Sequence, residues 1–492
     1  MQSYVIASEE PFGLGLNEKL MPQYLKDAGY RTHIVGKWHL GFYKKEYTPT
    51  FRGFDSHIGY LGPYIDYYNH SLKRIGLPWE FSSGYDMRKN LDFYRETFGT
   101  YATDLFTQES INIIKNHNPE TPLFLYIPHI APHAANSYDP LQAPQEIVEK
   151  FSYIKNEQRR KYAAMVSILD DSVGKVVNAL KESQMLENSV ILFFCDNGAT
   201  IEIEHNNGGS NNPFKGQKQS PWEGGVRSAG AIWSPLLQSR ERTSNQLFHI
   251  SDWLPTFAAL AGISVEEPID GKNIWPALSY NLNSPRVDAL LHLDDKEGYQ
   301  SYVNGDFKYV NGTTYNGVYD HWMDYIEKSE KHPSFHKYGE SIMNSTVGQA
   351  LSSYSSSNLS RLTIEKNRLD SVITCNNVPA DKNFECRPLE SPCLFNIIKD
   401  PCERKNIASL RPVTLRMMQD EVNALRLKAQ ESRNKPGDER SNPAYYNNTW
   451  TWWFDELGIG DYEENVVTFN SCDKTVVSAV LLIISANIGI FL

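Results

Sequence analysis

Gly36-Lys37-Trp38-His39 follows a short apolar run, Thr32 to Val35, and sets a lysine and a histidine two residues apart at its end. Two longer runs end in a similar way. Leu123 to Ile127 leads into Pro128-His129-Ile130-Ala131-Pro132-His133, and Val190 to Phe194 leads into Cys195-Asp196-Asn197-Gly198. A fourth stretch, Gly208 to Lys218 and then Trp222-Glu223-Gly224-Gly225-Val226-Arg227, is polar and glycine-rich. Asp196 and Asn197 carry the hard oxygen donors that Ca2+ and Mg2+ take. Lys37 and Lys218 suit an oxyanion as point charges. His39 and His133 can exchange protons with a substrate near neutral pH. Together these groups describe a metal-assisted site for a sulfate or phosphate ester, and physics alone does not separate the two esters. One ionisable residue after a strand is ordinarily a solvated loop charge. Three strands ending so favour a site, because open α/β sheets bind ligands at the carboxyl ends of their strands. Cys195 reads instead as a buried small apolar residue.

The elements that must position these residues follow from apolar spacing. Asn17 to Ala28 puts Leu20, Tyr24, Leu25 and Ala28 on one helical face and stops at Gly29. Arg159 to Leu180 predicts a long amphipathic helix through Tyr162, Met165, Val166, Leu169, Val173, Val176, Val177 and Leu180. The unbroken run Val190 to Phe194 suits a strand covered on both faces. The first half is therefore α/β, with strands and helices alternating. After about residue 265 the texture changes. Tyr299 to Val303 and Asp306 to Val310 predict a hairpin turning at Asn304-Gly305. Asn344 to Ser360 reads as a Ser-rich exposed insertion, Val413 to Leu427 as an amphipathic helix, and Lys428 to Asn448 as a loop. The expected organisation is a larger α/β unit over 1–265, a smaller α+β unit over 266–465, and a hydrophobic tail over 466–492.

The 492 residues carry 48 Lys+Arg against 59 Asp+Glu, a net charge of −11 without a basic run, which excludes a nucleic-acid binder as the leading class. Met1 to Ser8 lacks the pattern of a secretory leader. Val476 to Leu492 is seventeen residues without a charge, and it reads as a GPI-attachment signal, a tail anchor or a buried terminal helix. Sequons at Asn69, Asn311, Asn344, Asn358 and Asn447 side with a secreted glycoprotein. Close spacing suggests disulfides Cys375–Cys386 and Cys393–Cys402, with free thiols as the alternative.

At this point the motifs carry a resemblance. Gly36 to Gly41 with Arg52-Gly53-Phe54-Asp55, then Asp196-Asn197-Gly198, Trp222 to Arg227, and His249-Ile250-Ser251-Asp252-Trp253-Leu254-Pro255-Thr256 resemble the type I sulfatases in order. Asp66-Tyr67-Tyr68 and Leu394-Phe395-Asn396 to Pro401 resemble the arylsulfatase B branch, and the likeness covers roughly residues 13 to 410. The resemblance implies an alkaline-phosphatase-like fold, with a mixed sheet flanked by helices and a smaller α+β C-terminal domain. It also implies calcium-assisted hydrolysis of sulfate monoesters by a formylglycine nucleophile. On that reading Lys37 and Lys218 contact the sulfate oxygens and His39 supports the nucleophile. His133 protonates the leaving oxygen, with His129 in the same loop as the alternative, and Asp196 and Asn197 ligate Ca2+. His249 and Asp252 read as structural. The implied partners are a sulfated carbohydrate or small sulfate ester, the formylglycine-generating enzyme for a full-length form, and a membrane through the tail. The implied location is the secretory pathway, in lysosomes or at the cell surface.

Two departures accompany the likeness. Ala199 stands where the family often has a second glycine. No Cys-x-Pro-Ser-Arg motif occurs in the chain, and Cys386-Arg-Pro-Leu-Glu lacks both the Ser and the Arg. Met1 then reads as an internal methionine just after the nucleophile, and the chain as written is expected to be inactive and poorly folded for want of its first strand. The alternatives are a surface-anchored pseudoenzyme that binds sulfated glycans and a zinc phosphoesterase of the same superfamily.

Overall fold

Runs of aliphatic and aromatic residues closed by glycine or proline build two sheets of different character. The computed structural model describes residues 5–77, 82–201, 207–266, 268–322, 335–352, 360–375, 384–458 and the backbone of 480–486. The strands are β1 (Arg31–Lys37), β2 (Ser56–Tyr60), β3 (Ser71–Lys73), β4 (Ser83–Tyr85), β5 (Arg88–Lys89), β6 (Asp92–Phe93) and β7 (Leu123–Pro128). They continue with β8 (Ser189–Cys195), β9 (Gly230–Trp233), β10 (Asp288–Asp294), β11 (Tyr299–Asn304), β12 (Phe307–Asn311), β13 (Cys393–Asn396) and β14 (Val480–Ala486).

The larger sheet runs β6-β5-β2-β1-β7-β14-β8-β9. Its centre is parallel and its outer strands β5, β6 and β9 are antiparallel, so the sheet is mixed. Leu123, Leu125, Val190 and Leu192 are buried, as strands covered on both faces require. The helix Glu157–Glu182 supplies part of that cover through Tyr162, Met165, Leu169, Val176, Val177 and Leu180, and Asn156 caps it by accepting from the Arg159 amide at 3.0 Å. Burying side chains of this size contributes about 1.5–3 kcal/mol each. The helix Met21–Asp27 is shorter than its apolar pattern, because Pro22 in its first turn sets where it starts, while Gly29 at φ 88° closes it as expected.

The smaller sheet is antiparallel in the order β10-β11-β12-β13. The helix Pro412–Arg426 lays Met418 and Val422 against Leu293, Tyr302, Tyr309 and Leu394. The hairpin turn falls one residue later than the sequence suggests. Asn304 pairs with Phe307, so Gly305 at φ 54° opens the two-residue loop, where glycine pays no steric cost.

Two expectations are corrected, and the loop expected over 428–448 is found as irregular chain with short 3-10 turns. The disulfides are Cys375–Cys402 and Cys386–Cys393, not the nearest-neighbour pairs. Strand pairing explains this. Cys393 is fixed opposite Val310 at the start of β13, whereas the segment after Asp400 lies beside Cys375, whose carbonyl accepts from Arg404 Nη1 at 3.3 Å. The Ser-rich insertion is not wholly exposed. Its helix Thr346–Ser352 buries Ala350 and packs Thr346 against Gly174. The expected loop 428–448 leads into a segment that returns to the larger unit. The Asp438 amide donates to the Glu9 carbonyl at 2.9 Å, Arg88 Nη2 donates to the Trp450 carbonyl at 2.5 Å, and Trp450 Nε1 donates to the Leu72 carbonyl at 2.9 Å. Cys472 and Asn358 lie outside the described residues.

The two sheets meet at a buried charge cluster. Lys308 on β12 lies 2.8 Å from Glu223 and 2.9 Å from Glu403, with none of its side chain exposed. Burial raises the Glu403 carboxyl to about 7, against the pull of Lys308 and helped by the Glu223 charge. A carboxyl raised from 4.5 to about 7 binds more protons folded than unfolded in that window. Its contribution to stability is therefore full below the unfolded value and is lost as pH rises through the folded one. Glu403→Gln is expected to flatten this loss, read as a smaller change in the urea midpoint between pH 5 and about 7.5 than in the unaltered chain.

Candidate functional site

The carboxyl end of β1 is a close contact between strands. Gly36 sits at φ 131°, and a Cβ there would collide with the Pro128 carbonyl of β7. This lets three strands converge where Lys37 emerges, which is why glycine precedes the lysine. The chain then turns sharply. Trp38 Nε1 donates to the carbonyls of Gly41 and Tyr47 at 3.1 and 3.0 Å, and the His39 amide donates to the Leu61 carbonyl at 3.1 Å. His39 adopts φ 61°, a left-handed conformation held by these contacts.

Beneath the turn lies Asp86. Its fully buried carboxylate accepts from the Leu61 amide at 3.2 Å and the Gly62 amide at 2.8 Å. Burial raises Asp86 to about 6, while Arg88 and the two amides pull it down. Asp86 thus holds the segment on which His39 rests. Sequence reasoning missed it, because a carboxylate accepting backbone amides leaves no spacing signal.

Lys37 is half-buried at the end of β1, and burial lowers its ammonium to about 8, with Lys218 pushing the same way and Asp196 opposing. His39 is held well below the usual imidazole range by burial first and then by Lys37 and Lys218. A neutral His39 results, and its Nε2 has no hydrogen-bond partner in a buried position. His133 Nδ1 lies 2.7 Å from the Ala134 carbonyl, so Nδ1 carries the proton and Nε2 accepts from Lys218 Nζ at 3.4 Å. Tyr64 stacks on the His133 ring at 6.0 Å.

The loop's other histidine faces elsewhere. His129 Nε2 meets Ser172 Oγ at 3.1 Å, its ring lies beside Phe106, and burial lowers it to about 3. It is a core histidine. Asp196 and Asn197 leave the end of β8, with Gly198 pressed against the Gly224 carbonyl and its amide donating to Gly225 at 3.1 Å. Ala199, the departure from the family pattern, is buried and bridged by Asn211 through both its amide and its carbonyl. Asp252 is not part of the site. It is fully buried in a bidentate pair with Arg286, and His249 Nδ1 contacts Ser251 Oγ at 2.8 Å.

Lys37, His39, Lys218 and Asp196 therefore share one electrostatic neighbourhood at the strand ends, with His133 joined through Lys218. The donor set for a metal is incomplete. Among the described residues no group of three or more His, Cys, Asp or Glu side chains could hold a metal ion. Asp196 and Asn197 alone fall short of the six to eight oxygens that Ca2+ takes.

A mixed α/β sheet whose strand ends carry two mutually repelling ammonium groups and a neutral imidazole defines an oxyanion-handling α/β protein. Residues 1–263 match the sulfatase family model. The chain is 34% identical to mouse arylsulfatase J over 462 residues, covering 93% of this chain and 70% of that protein. It is 33% identical to human N-acetylgalactosamine-6-sulfatase over 272 residues, which is 54% of this chain and 49% of that one, about half its length. The crystal structure of Ps i-CgsB superposes with a TM-score of 0.59 at 26% identity, covering 85% of this chain and 77% of that one. Its complex with k-i-k-neocarrahexaose gives 0.55 at 28% identity, over 75% and 82% of the two chains. The chain belongs to the sulfatase family of sulfuric ester hydrolases and has the alkaline-phosphatase-like fold.

Proposed function

We propose that the strand-end site acts on the sulfate monoester of a sulfated sugar, in the manner of the arylsulfatase B branch. The observation that carries this is the pairing of Lys218 with His133 in the electrostatic neighbourhood of the half-buried Lys37. Lys37 and Lys218 hold the sulfate oxygens, replacing water with fixed charge. Because Nδ1 of His133 is committed to the Ala134 carbonyl, proton exchange with the bridging oxygen runs through Nε2. Neutral His39 offers its unpartnered Nε2 to a group bound between the two lysines. The sugar class is supported by the relatives' names, N-acetylgalactosamine-6-sulfatase above all, and by the neocarrahexaose held by Ps i-CgsB.

Two parts of the family chemistry do not fit these residues. The calcium donors stop at Asp196 and Asn197, and no Cys-x-Pro-Ser-Arg motif is present to yield formylglycine. No step is therefore assigned to either group. We expect these 492 residues to show no turnover of 4-nitrocatechol sulfate. A version extended upstream to include the nucleophile motif is expected to hydrolyse it, and turnover by the unextended chain overturns the reading. One observation favours a second reading, a sulfated-glycan-binding protein without catalysis: both lysines occur in residues that include no Cys-x-Pro-Ser-Arg motif. Sulfate binding by an extended chain that still fails to turn over would decide for it.

A further inference from the structure

A cavity opens at the amino end of β1, the end away from Lys37. It holds about 580 Å³, the size of a small-molecule pocket. β1 supplies Arg31 and His33, the turn before β2 supplies Asp55, and the end of the helix Ala102–Asn116 supplies Asn112, Asn116 and the following His117. Six steps of extended strand separate Arg31 from Lys37, about 20 Å, so one small ligand cannot occupy both ends.

The polar groups around the cavity are unequally satisfied. Asp55 is already partnered, since Lys26 lies 2.8 Å from one carboxylate oxygen and the Thr32 amide donates to the other at 3.0 Å. Lys115, in the last turn of the helix, pairs with Glu182 at 3.1 Å, and Glu120 in the loop after His117 is exposed. The Arg31 guanidinium, by contrast, has no ion pair or side-chain hydrogen bond among the described residues. His33 engages Ser56 Oγ through Nδ1 at 2.7 Å, which leaves Nε2 for the cavity. His117 donates from Nε2 to the Thr121 carbonyl at 2.8 Å, which leaves Nδ1. Asn112 accepts from Gln108 through Oδ1, and Asn116 donates through Nδ2 to the Asn112 carbonyl, so one amide nitrogen and one amide oxygen also remain. A guanidinium fork and two imidazole edges match an oxyanion, and the amide groups beside them match hydroxyls.

We propose that this cavity is a second anion site, which takes the oxyanion of a small hydroxylated molecule such as an acidic sugar and fills as pH falls. Burial holds the His33 ring below the usual imidazole value, Asp55 opposes, and His117 and Arg31 push the same way as burial. A docked anion opposes all three of those pressures and favours the protonated ring, so affinity rises as pH falls. The inference rests on the cavity and its unused groups and does not depend on the sulfatase reading.

NMR of the histidine rings in the full chain tests it, with His33 and His117 assigned through His33→Gln and His117→Gln. Glucose 6-sulfate and glucuronate, titrated at constant ionic strength, separate a sulfate ligand from a carboxylate. At least one of them is expected to shift both rings saturably at about pH 5. Binding should be about 10-fold tighter there than at about pH 7.5. Arg31→Met, a change at an exposed position, should weaken it by about 10- to 100-fold. Lys37→Met, at the other end of the strand, should leave it as it was. The proposal is overturned if neither probe gives saturable shifts, if affinity does not rise as pH falls, or if Arg31→Met binds as the unaltered chain does. Loss of the shifts in Lys37→Met also overturns it, because they would then report the strand-end site.

Discussion

Lys308→Met is expected to lower folding stability by about 3–5 kcal/mol at pH 7, the cost of leaving buried charge without its partner. Lys308 has no exposed side-chain surface and touches Glu223 and Glu403 together. Burial alone would lower its pKa, yet the two carboxylates hold it above the usual lysine value. Glu223 is held low in turn, because Lys308 and Arg227 outweigh the burial that raises it. Removing the ammonium drives Glu403, already raised to about 7, to its protonated form and leaves the Glu223 carboxylate enclosed without its nearest cation. The effect should be conditional. Adding Glu223→Gln and Glu403→Gln to Lys308→Met removes the uncompensated charge and is expected to recover most of the loss, since a neutral cluster of similar volume is tolerated. Urea unfolding of the single and triple variants measures both, and equal stability of the two variants contradicts the argument. Glu223 belongs to the segment whose Gly224 and Gly225 carbonyls hold Gly198, two residues after Asp196, so the single variant should also loosen the site.

Lys37→Met and Lys218→Met are each expected to weaken binding of inorganic sulfate by about 10- to 100-fold, a loss of about 1.5–3 kcal/mol for one hydrogen bond to a charged group. Titration calorimetry with sodium sulfate at constant ionic strength measures this. If either variant binds as the unaltered chain does, that lysine is not an oxyanion ligand. Lys218→Met has a second signature. Its ammonium donates to His133 Nε2, so its removal takes away that contact and should shift the ring-proton resonances of His133 by NMR.

The strand ends were legible because a parallel sheet places chemistry at one edge, and an apolar run that stops abruptly at Asp196 or Lys37 marks that edge. His133 and His129 were not separable in sequence. Four residues apart in one loop, they divide only once Ser172 and Phe106 close around His129. Asp86 was invisible for a different reason, since its partners are backbone amides that any residue carries. The disulfides failed on a spacing argument that ignored the strand Cys393 begins. The tail shows the limit of hydropathy most plainly. An uncharged aliphatic run reports that the segment must leave water, and a bilayer and a sheet interior satisfy that equally. Among the described residues no helix is long and apolar enough to cross a membrane.

The return of the chain to its own beginning bears on how the protein is made. Arg88 waits for the Trp450 carbonyl across 362 residues, and Trp450 in turn closes over Leu72. At about 5–20 residues per second, a ribosome needs on the order of 20–70 s to supply Trp450 after Arg88 has emerged. During that interval the pocket around Arg88 lacks its aromatic cover, and the guanidinium has the ring of Phe93 but not the Trp452 ring that also covers it. The larger unit is thus N-terminal in sequence but among the last parts to be finished in time. Chaperone dependence of the nascent chain should be concentrated in that window and end with release of the final fifty residues.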